Sequence, residues 1–549
     1  MSYTVVFATV IAALALFWST RRRGTISKIA GPPSPSWIFG DFHFVLSRMS
    51  ALMIVFLGNM LQLLIPPQYG DNEFKWNKVY GSVYRIKECF GKDRLIVSDP
   101  IPMQYVINDP SFVPSPLLQA IYHWIFGANS MVARHGTIKN LKPAVLLIVF
   151  CTGDEHRKLR ASLNPAFTAA AVRQYQPGFL KVAQTITEQL NQSDALSIDM
   201  CPILSAATLK AICEVVFGCP TEDMGADFVN HNTQILHISS SQSTGQVLGG
   251  AICALLPQWF LHRAIYLPTK TFRACRTQLY LANREGRRIV REKTEAARLG
   301  LETDGDLYGV LLNSNRSDTK SIQEEDIVGQ TSIITIAGQD TTANTLAFGL
   351  IELAKNPQFQ DSLRVEIHAA FGTDRENIPY DNMPLLNAFI KESLRLYPVE
   401  ALSDRTASED VAIPLSNSIT TTAGERLNQI HVRKGEVVTL AIASYQRMES
   451  RWGVDADKFR PSRWLDETVY QGEAVGPYAN LFLGGPRTCL GVFEMQVFLC
   501  ELVGNFSFSL PADHSARVIF ANTLMPTNSQ GEKWCKVSFS ERLTPQAWY

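Results

Sequence analysis

One short run near the end of the chain constrains the protein more than any other. Residues 482–491 read FLGGPRTCLG and place Cys489 between glycines, two residues after Arg487. A thiolate is stable where a metal or a positive charge compensates its own charge, and glycine-rich backbone can approach sulfur because no Cβ intervenes. The run therefore predicts a metal-bound thiolate. The alternative is one more buried, unreactive cysteine.

The spacing of this run, F-x-x-G-x-R-x-C-x-G, resembles the haem-binding loop of the cytochrome P-450 family. In this resemblance Cys489 is the axial ligand of the iron of haem b, and Phe482, Gly485 and Arg487 belong to the cofactor-binding loop. Ligation by cysteine gives the iron electron density that favours cleavage of the O–O bond of dioxygen. The resemblance implies the cytochrome P-450 fold, which is mainly α with a small β-sheet domain.

The composition suits a large globular enzyme. Of the 549 residues, 46% are apolar and 19% are charged, which is enough to bury a sizeable core. Lys plus Arg equals Asp plus Glu, 51 against 51, so no net field attracts nucleic acid and we expect no nucleic-acid partner. The ten cysteines follow neither a disulfide framework nor a zinc-site spacing. They indicate reduced, intracellular thiols.

The N-terminus has the pattern of a membrane anchor. Residues 3–18 carry no charge, and three arginines follow at 21–23. Positive charge after the apolar run favours a retained single-pass helix with the rest of the chain in the cytosol, over a cleaved signal peptide or a buried helix. We therefore assign 1–20 to a transmembrane anchor, 21–40 to a basic and proline-rich linker and 41–549 to the catalytic domain. The resemblance places that domain on the cytosolic side of the endoplasmic reticulum membrane.

A second motif lies in a predicted long helix that begins at 321–324 and ends before the Asn-Pro pair at 356–357. The centre of this helix, AGQDTT at 337–342, is unfavourable for a helix interior. Glycine costs about 1 kcal/mol relative to alanine, and threonine competes for the carbonyl four residues earlier. A kink without chemical function is one interpretation. A helix that is weakened for a functional reason is the other.

In the resemblance this helix crosses one face of the haem. Ala337 and Gly338 are then small enough to admit dioxygen, Thr341 hydrogen-bonds the oxygen, and Asp340 relays protons from solvent. Reduction of dioxygen to water and an oxidant consumes protons, so a buried site needs such a relay.

Basic residues elsewhere are candidates for binding the haem propionates. His156 and Arg160 lie one helical turn apart, so both can face one anion, although a solvated helix face would show the same spacing. His156 stands where the family usually has tryptophan. Arg405, in a predicted strand, and Arg487, in the thiolate loop, occupy the family's other propionate positions.

A third motif is structural in our interpretation. Glu392 and Arg395 are three residues apart on a predicted helix, and they resemble the E-x-x-R of the family. Arg463 stands where the family completes a buried triad. Buried charges need satisfied partners, so we expect these residues to support the haem pocket rather than to react. Two further patterns are a hairpin at 81–100 and mainly helical sequence at 170–300, which roofs the substrate pocket in the resemblance.

The chain departs from the family pattern in two ways. About four residues, one helical turn or roughly 6 Å, are missing after Gly491, so the following helix can keep its apolar face in register while its start moves relative to the haem. Two segments, 41–57 and 137–153, each separate flanking sequences that would follow one another directly in the family pattern. We interpret both as translated introns or recent insertions, and 41–57 alternatively as a second membrane contact. Their absence from the mature transcript would support the first interpretation, and their presence would refute it.

The resemblance implies a monooxygenase that inserts one oxygen atom of dioxygen into a C–H bond of a small lipophilic substrate. The sequence as a whole resembles fungal members of the family, many of which act on secondary metabolites such as terpenoids. No dinucleotide fingerprint occurs in a βαβ context, so electrons are expected from a separate NADPH-dependent reductase, with cytochrome b5 as a second donor. Two alternatives are a haem-thiolate isomerase or dehydratase, which usually lacks the Asp340–Thr341 pair, and a catalytically impaired haem-binding relative, suggested by the departures above.

Overall fold

The computed structural model describes most of the chain. The described residues are 24–34, 58–133, 159–240, 243–301, 306–317, 323–372, 378–466 and 488–541, without 160 and 162. The predicted anchor, most of the linker, both proposed insertions, His156, Arg160 and residues 482–487 lie outside them.

Helices dominate the described residues, and this confirms the predicted mainly α fold with small sheets. The α-helices are α1 Met60–Leu64, α2 Glu73–Tyr80, α3 Pro100–Asn108, α4 Pro116–Phe126, α5 Ala169–Gln174, α6 Gln176–Asn191, α7 Met200–Ala211, α8 Ala226–Ser240, α9 Thr244–Cys253, α10 Gln258–Ala264, α11 Lys270–Arg298, α12 Leu307–Ser317, α13 Glu324–Val328, α14 Thr331–Lys355, α15 Pro357–Phe371, α16 Pro384–Leu396, α17 Ile442–Tyr445, α18 Glu449–Trp452 and α19 Thr488–Asn505.

The strands are short and gather in several small sheets. They are β1 Val83–Lys87, β2 Asp93–Val97, β3 Phe112–Val113, β4 Ser197–Asp199, β5 Leu402–Ala407, β6 Val411–Thr420, β7 Arg426–Val432, β8 Val437–Ala441, β9 Phe506–Ser509, β10 Arg517–Ala521, β11 Thr523–Thr527 and β12 Lys536–Glu541.

The first of two compact units comprises the described parts of Met1–Leu117, Gln242–Pro257 and Leu402–Tyr445. Its main sheet has the order β1-β2-β8-β5-β3, with β2 and β8 parallel and the other pairs antiparallel. The predicted hairpin is confirmed as β1 and β2. Its connection contains Phe90 at φ 61°, a left-handed conformation that is uncommon for a bulky residue.

The second unit comprises the described parts of Leu118–Ser241, Gln258–Ala401 and Gln446–Tyr549. Its centre is α14, in which every residue from 342 to 353 is buried. The apolar side chains of α14 pack in one core with those of α6, α7, α16 and α19. Two sheets, β4-β12-β9 and the hairpin β10-β11, complete the unit. As predicted, α14 ends immediately before the Asn-Pro pair.

The prediction of one continuous helix from 321–324 to Lys355 is wrong. The helix is interrupted between α13 and α14 at Gly329 and Gln330. A Cβ on Gly329 would lie 2.7 Å from the Cβ of Asn129, and the Gln330 side chain donates to the Asn129 carbonyl (2.9 Å) and accepts from the Met131 amide (2.9 Å). A distant loop therefore packs against the break, and the Gln330 side chain binds the backbone of that loop.

One apolar helical stretch among the described residues has the length and composition of a membrane span. It is Met200–Phe217, formed by α7 and its π-helical continuation Ile212–Phe217, and 72% of it is buried inside the protein. Burial within the fold is the behaviour of a core helix.

Candidate active site

The middle of α14 has a face of small residues. Ala337 is exposed, although most of the helix is buried, and Thr341 lies one turn later and is half-buried. The Thr341 Oγ1 donates to the Ala337 carbonyl oxygen at 2.7 Å, the local bond expected of threonine in a helix. Gly338 also has a packing role, and its predicted role in admitting oxygen stays a prediction. A Cβ there would lie 2.8 Å from Ile212 Cδ1, so the glycine allows close packing of the π-helix.

The carboxylate of Asp340 forms a largely buried ion pair. Lys533 Nζ lies 2.7 Å from Asp340 Oδ1, and the two side chains are 15% and 12% exposed. The residues are 193 positions apart. Sequence reasoning identified the acid but missed its partner, because no local pattern marks a lysine that lies before a C-terminal strand.

The residue before this acid is fixed by buried amides. Gln339 Oε1 accepts from Asn232 Nδ2 at 2.5 Å, and Gln339 Nε2 donates to the carbonyl and hydroxyl oxygens of Ser205, both at 3.0 Å. Asn232 Oδ1 in turn accepts from Gln278 Nε2 at 3.1 Å. These bonds connect α14 to α7, α8 and α11. They hold the backbone next to Asp340 in place.

Cys489 is the second residue of α19. The first turn of a helix presents free amide N–H groups and the positive end of the helix dipole, and both favour a thiolate over a thiol. The side chain of Cys489, and the predicted loop residues Phe482, Gly485 and Arg487, lie outside the described part of the chain. The core residues of α19 begin after the cysteine, with Phe493 and Val497 buried.

Arg405 lies on β5 in the first unit. Its Nη1 donates to Ser403 Oγ at 2.8 Å and to the Asp404 carbonyl at 2.9 Å. No carboxylate among the described residues forms an ion pair with it. Its positive charge is thus available for an anionic ligand such as a propionate.

These observations fit a haem. Within the second unit, a cysteine at a helix N-terminus supplies the ligand, and the exposed Ala337 gives α14 a small face toward which a flat ring could lie.

The E-x-x-R residues and the third arginine meet in the second unit. Arg395 Nε and Nη2 each donate to one oxygen of Glu392 at 2.8 Å, and Arg463 Nε donates to Glu392 Oε1 at 2.9 Å. The three side chains are 0 to 1% exposed. Arg395 Nη1 also donates to the carbonyls of Gln446 (2.6 Å) and Ala456 (2.7 Å). The triad thus attaches α16 to the segment around α18.

The charge of Glu392 is stable in spite of its burial. Burial alone would raise the pKa of this carboxyl, but the hydrogen bonds and positive charges of Arg395 and Arg463 outweigh that effect, and the pKa lies below its usual value. Glu392 is therefore ionised at neutral pH.

A second buried acid was not anticipated. Glu494 on α19 is 5% exposed, and its Oε1 has no hydrogen-bond partner among the described residues. Burial raises the pKa of Glu494 to about 8, and a hydrogen bond with Thr342 only partly offsets this. The carboxyl is therefore protonated at neutral pH. Its partner Thr342 directly follows Thr341 in the sequence. The only sequence signal for this buried acid is its position: Glu494 stands on the apolar face of α19, where a hydrophobic residue would be expected.

Replacement of Glu494 by glutamine should change how stability depends on pH. The folded state keeps a proton up to about pH 8, whereas an unfolded glutamate loses it near pH 4.3. The free energy of unfolding should therefore fall by about 1.4 kcal/mol per pH unit between these values. Glu494→Gln should remove this slope and be more stable than wild type near pH 8. Urea unfolding at a series of pH values measures the effect, and identical slopes for both proteins would contradict it.

The fold and the site together define a mainly helical enzyme with a cysteine at the start of one helix and an acid–alcohol pair within another. The family profile described as Cytochrome P450 matches residues 51–535. The chain belongs to the cytochrome P450 family. It is thus a P450 monooxygenase by family, and membership implies a haem cofactor, a redox partner and a small substrate.

Several similar curated proteins come from fungi. Cytochrome P450 monooxygenase 91 of Postia placenta is 27% identical, with 90% of this chain and 91% of that protein aligned. Ganoderic acid synthetase of Ganoderma lucidum is 26% identical, with 90% and 93% aligned. The crystal structure of the cytochrome P450DA heme domain is similar with a TM-score of 0.64 and 19% identity, covering 94% of this chain and 98% of that one. The structural likeness supports the fold alone.

Proposed function

We propose that this P450 inserts one oxygen atom of dioxygen into a C–H bond of a small lipophilic compound of fungal secondary metabolism, such as a terpenoid. Electrons come from a separate NADPH-dependent reductase, with cytochrome b5 as a second donor. The observation that carries the proposal is the combination of Cys489 in the first turn of α19 with Asp340 and Thr341 on α14. A relative named for ganoderic acid synthesis supports the substrate class.

Haem b, when bound, supplies dioxygen binding and activation. Cys489 would hold its iron, and the basic residues predicted for the propionates would hold its carboxylates: His156, Arg160, Arg405 and Arg487. Of these, Arg405 is supported by its uncompensated charge. The triad of Glu392, Arg395 and Arg463 keeps the surrounding helices in position and takes no part in the chemistry.

Protons are handled by Asp340 and Thr341. The Thr341 hydroxyl can exchange its bond to the Ala337 carbonyl for one to a reacting oxygen, because a rotation about a single side-chain bond redirects it. Asp340, as a carboxylate, accepts a proton from the solvent side and releases it toward the small face of α14.

The location we propose is the endoplasmic reticulum membrane, with residues 1–20 as a single-pass anchor and the catalytic domain in the cytosol. Exposed apolar side chains support a membrane contact beyond the anchor. Trp259, Tyr266 and Leu267 are 66%, 77% and 41% exposed, and they lie in or directly after α10, within the part of the chain expected to roof the substrate pocket.

The reaction is tested by expressing the full chain with a fungal NADPH-dependent reductase and profiling lipophilic metabolites under ¹⁸O₂. We expect a new product that carries one ¹⁸O atom and requires NADPH. A product that forms without NADPH and without ¹⁸O would instead indicate an isomerase or dehydratase. If the haem-loaded protein consumes no NADPH with any of the lipophilic metabolites, the chain is instead a catalytically impaired haem-binding relative.

Thr341→Ala should keep its haem but lose coupling. Without the hydroxyl, protons reach the reacting oxygen poorly, so NADPH is spent on hydrogen peroxide, and product per NADPH should fall about tenfold or more. The matched control is Thr345→Ala, which removes an equivalent hydroxyl bonded to the carbonyl of Thr341 (3.0 Å) from a buried position one turn later. Unchanged product per NADPH in Thr341→Ala would refute this role.

A further inference from the structure

Two histidines from different helices face each other in the second unit. His123 lies on α4 and His262 lies on α10, and their ring centroids are 5.1 Å apart with the ring planes at 79°. Both side chains are half-buried. The Nε2 atom of His262 is fully buried and has no hydrogen-bond partner among the described residues. A buried ring nitrogen without a protein partner marks a place where a water or an ion completes the structure.

Hydrogen bonds on either side of the histidines hold the two helices together. Gln258 Nε2 on α10 donates to Gln119 Oε1 on α4 at 2.8 Å, and Trp124 Nε1 on α4 donates to the Leu261 carbonyl of α10 at 2.9 Å. In each helix the glutamine precedes the histidine by four residues, so the two pairs lie one turn apart along the same faces. The histidines therefore meet because two helix faces are paired, and their separation does not depend on two free surface side chains.

The separation of the rings is the one expected of two imidazoles bound to a single metal ion. Zinc binds a histidine nitrogen at about 2.0–2.1 Å, which places the ring centroid about 3.2 Å from the metal. At a tetrahedral angle two such centroids lie about 5.2 Å apart, and the observed distance is 5.1 Å. Imidazole nitrogen is a good ligand for zinc and similar divalent ions, and water molecules complete the coordination.

The charge state of the rings suits a metal. Burial lowers the pKa of both His123 and His262, and the proximity of His262 lowers that of His123 further. Both rings are therefore neutral at neutral pH, which is the form that binds a metal. Arg263 follows His262 directly and is exposed, and consecutive residues of a helix do not share a face. Its positive charge is thus directed away from the histidine pair.

We propose that His123 and His262 form a binding site for a divalent transition-metal ion such as Zn²⁺, which bridges α4 and α10. The site uses none of the residues assigned to the haem or to oxygen chemistry. Because the two ligands are distant in the sequence, the ion binds the folded chain far better than the unfolded one. A bound ion therefore stabilises the fold and fixes α4 against α10.

The experiment measures zinc bound to the full chain loaded with haem b, by equilibrium dialysis at a zinc concentration that just saturates the wild type, and the urea unfolding midpoint with and without Zn²⁺. The variants are His123→Gln, His262→Gln and the double variant. The control is His431→Gln, which removes an exposed histidine on β7. All of these proteins keep the same cysteines, so zinc bound by thiols is common to them and cancels in the comparison.

We expect each single substitution to remove one equivalent of zinc and the double variant to lose no more, because a bridging ion needs both rings. Zn²⁺ should raise the unfolding midpoint of the wild type and of His431→Gln, and it should raise that of the other three variants less. Equal zinc in the wild type and both single variants would overturn the proposal and leave the pair as a packing contact between rings. Loss of zinc in only one of the single variants would also overturn it, since one ligand makes no bridge.

A second readout needs no variant and therefore holds even where a substitution prevents folding. Diethyl pyrocarbonate acylates neutral histidine rings, and mass spectrometry identifies the modified residues. In the wild type we expect Zn²⁺ to protect His123 and His262 over the same range of zinc concentration and to leave His431 reactive. Equal reactivity of the pair with and without zinc would contradict the site. Neither readout involves oxidation, so the outcome is independent of the proposed monooxygenase reaction.

Discussion

Glu392→Gln is expected to lose about 3–5 kcal/mol of stability, the cost of leaving a buried ion without its partner. The variant keeps the shape of the side chain but leaves the fully buried Arg395 without a compensating charge, and leaves Arg463 with only its 3.3 Å ion pair to Asp455. Its amide would also face the Arg460 backbone N–H and the Trp464 Nε1, which both donate to the carboxylate. Since whole domains are stable by only about 5–15 kcal/mol, this loss would remove a large part of the free energy of unfolding.

The measurement is the urea midpoint of purified protein, together with the soluble fraction on expression. The matched control is Asp381→Asn, which breaks the exposed ion pair with Arg173, both side chains being about 65% exposed, and should change little. Similar midpoints for Glu392→Gln and wild type would mean that the triad is not a structural anchor.

The triad also predicts lability in acid. The pKa of Glu392 is lowered in the folded state, so its contribution to stability is fully present above the unfolded value of about 4.3. This contribution is lost as the pH falls through the lowered folded value. Glu494 acts in the opposite direction, because its raised pKa removes stability as the pH rises toward about 8. The two carboxyl groups together should therefore make the second unit most stable in mildly acidic solution.

Cys489→Ala is expected to abolish NADPH-dependent oxidation, because the variant removes the only iron ligand assigned to this chain. The fold should remain, since the cysteine lies in the first turn of α19 and the buried residues that anchor the helix, such as Phe493 and Val497, come later. The measurement is product formed in the reconstituted system, with circular dichroism as a check on the fold. Cys253→Ala is the control, a half-buried cysteine on α9. Retained oxidation in Cys489→Ala would mean that another residue binds the iron.

The features that could be predicted from sequence are those with local signatures. The spacing of Glu392 and Arg395 placed both charges on one helix face, and the proline at 357 marked the end of α14. The hairpin at β1 and β2 followed from alternation of apolar and polar residues. In each case the information lies within a few residues of the feature itself.

The features that could not be predicted depend on residues distant in the sequence. The interruption at Gly329 is caused by a loop near Asn129, and the glycine at 338 is required by Ile212. Asp340 is paired with Lys533, which lies before β12, and Glu494 on α19 is paired with Thr342 on α14. A sequence pattern identifies a charged or small residue, but only the fold determines which group it faces.

The turn missing after Gly491 has a structural correlate. α19 begins at Thr488, so Cys489 lies inside the helix, while Phe493 and Val497 remain buried in the main core. Phe493 and Val497, four residues apart, therefore lie on one buried face of α19.

Ligation of haem iron by the Cys489 thiolate is tested most directly by the carbon monoxide difference spectrum of the reduced, full-length protein. We predict the red-shifted Soret band of a thiolate-ligated haem in the wild type and its absence in Cys489→Ala. A band typical of imidazole ligation, or no haem absorbance after loading with haem b, would contradict thiolate ligation and the monooxygenase mechanism that depends on it.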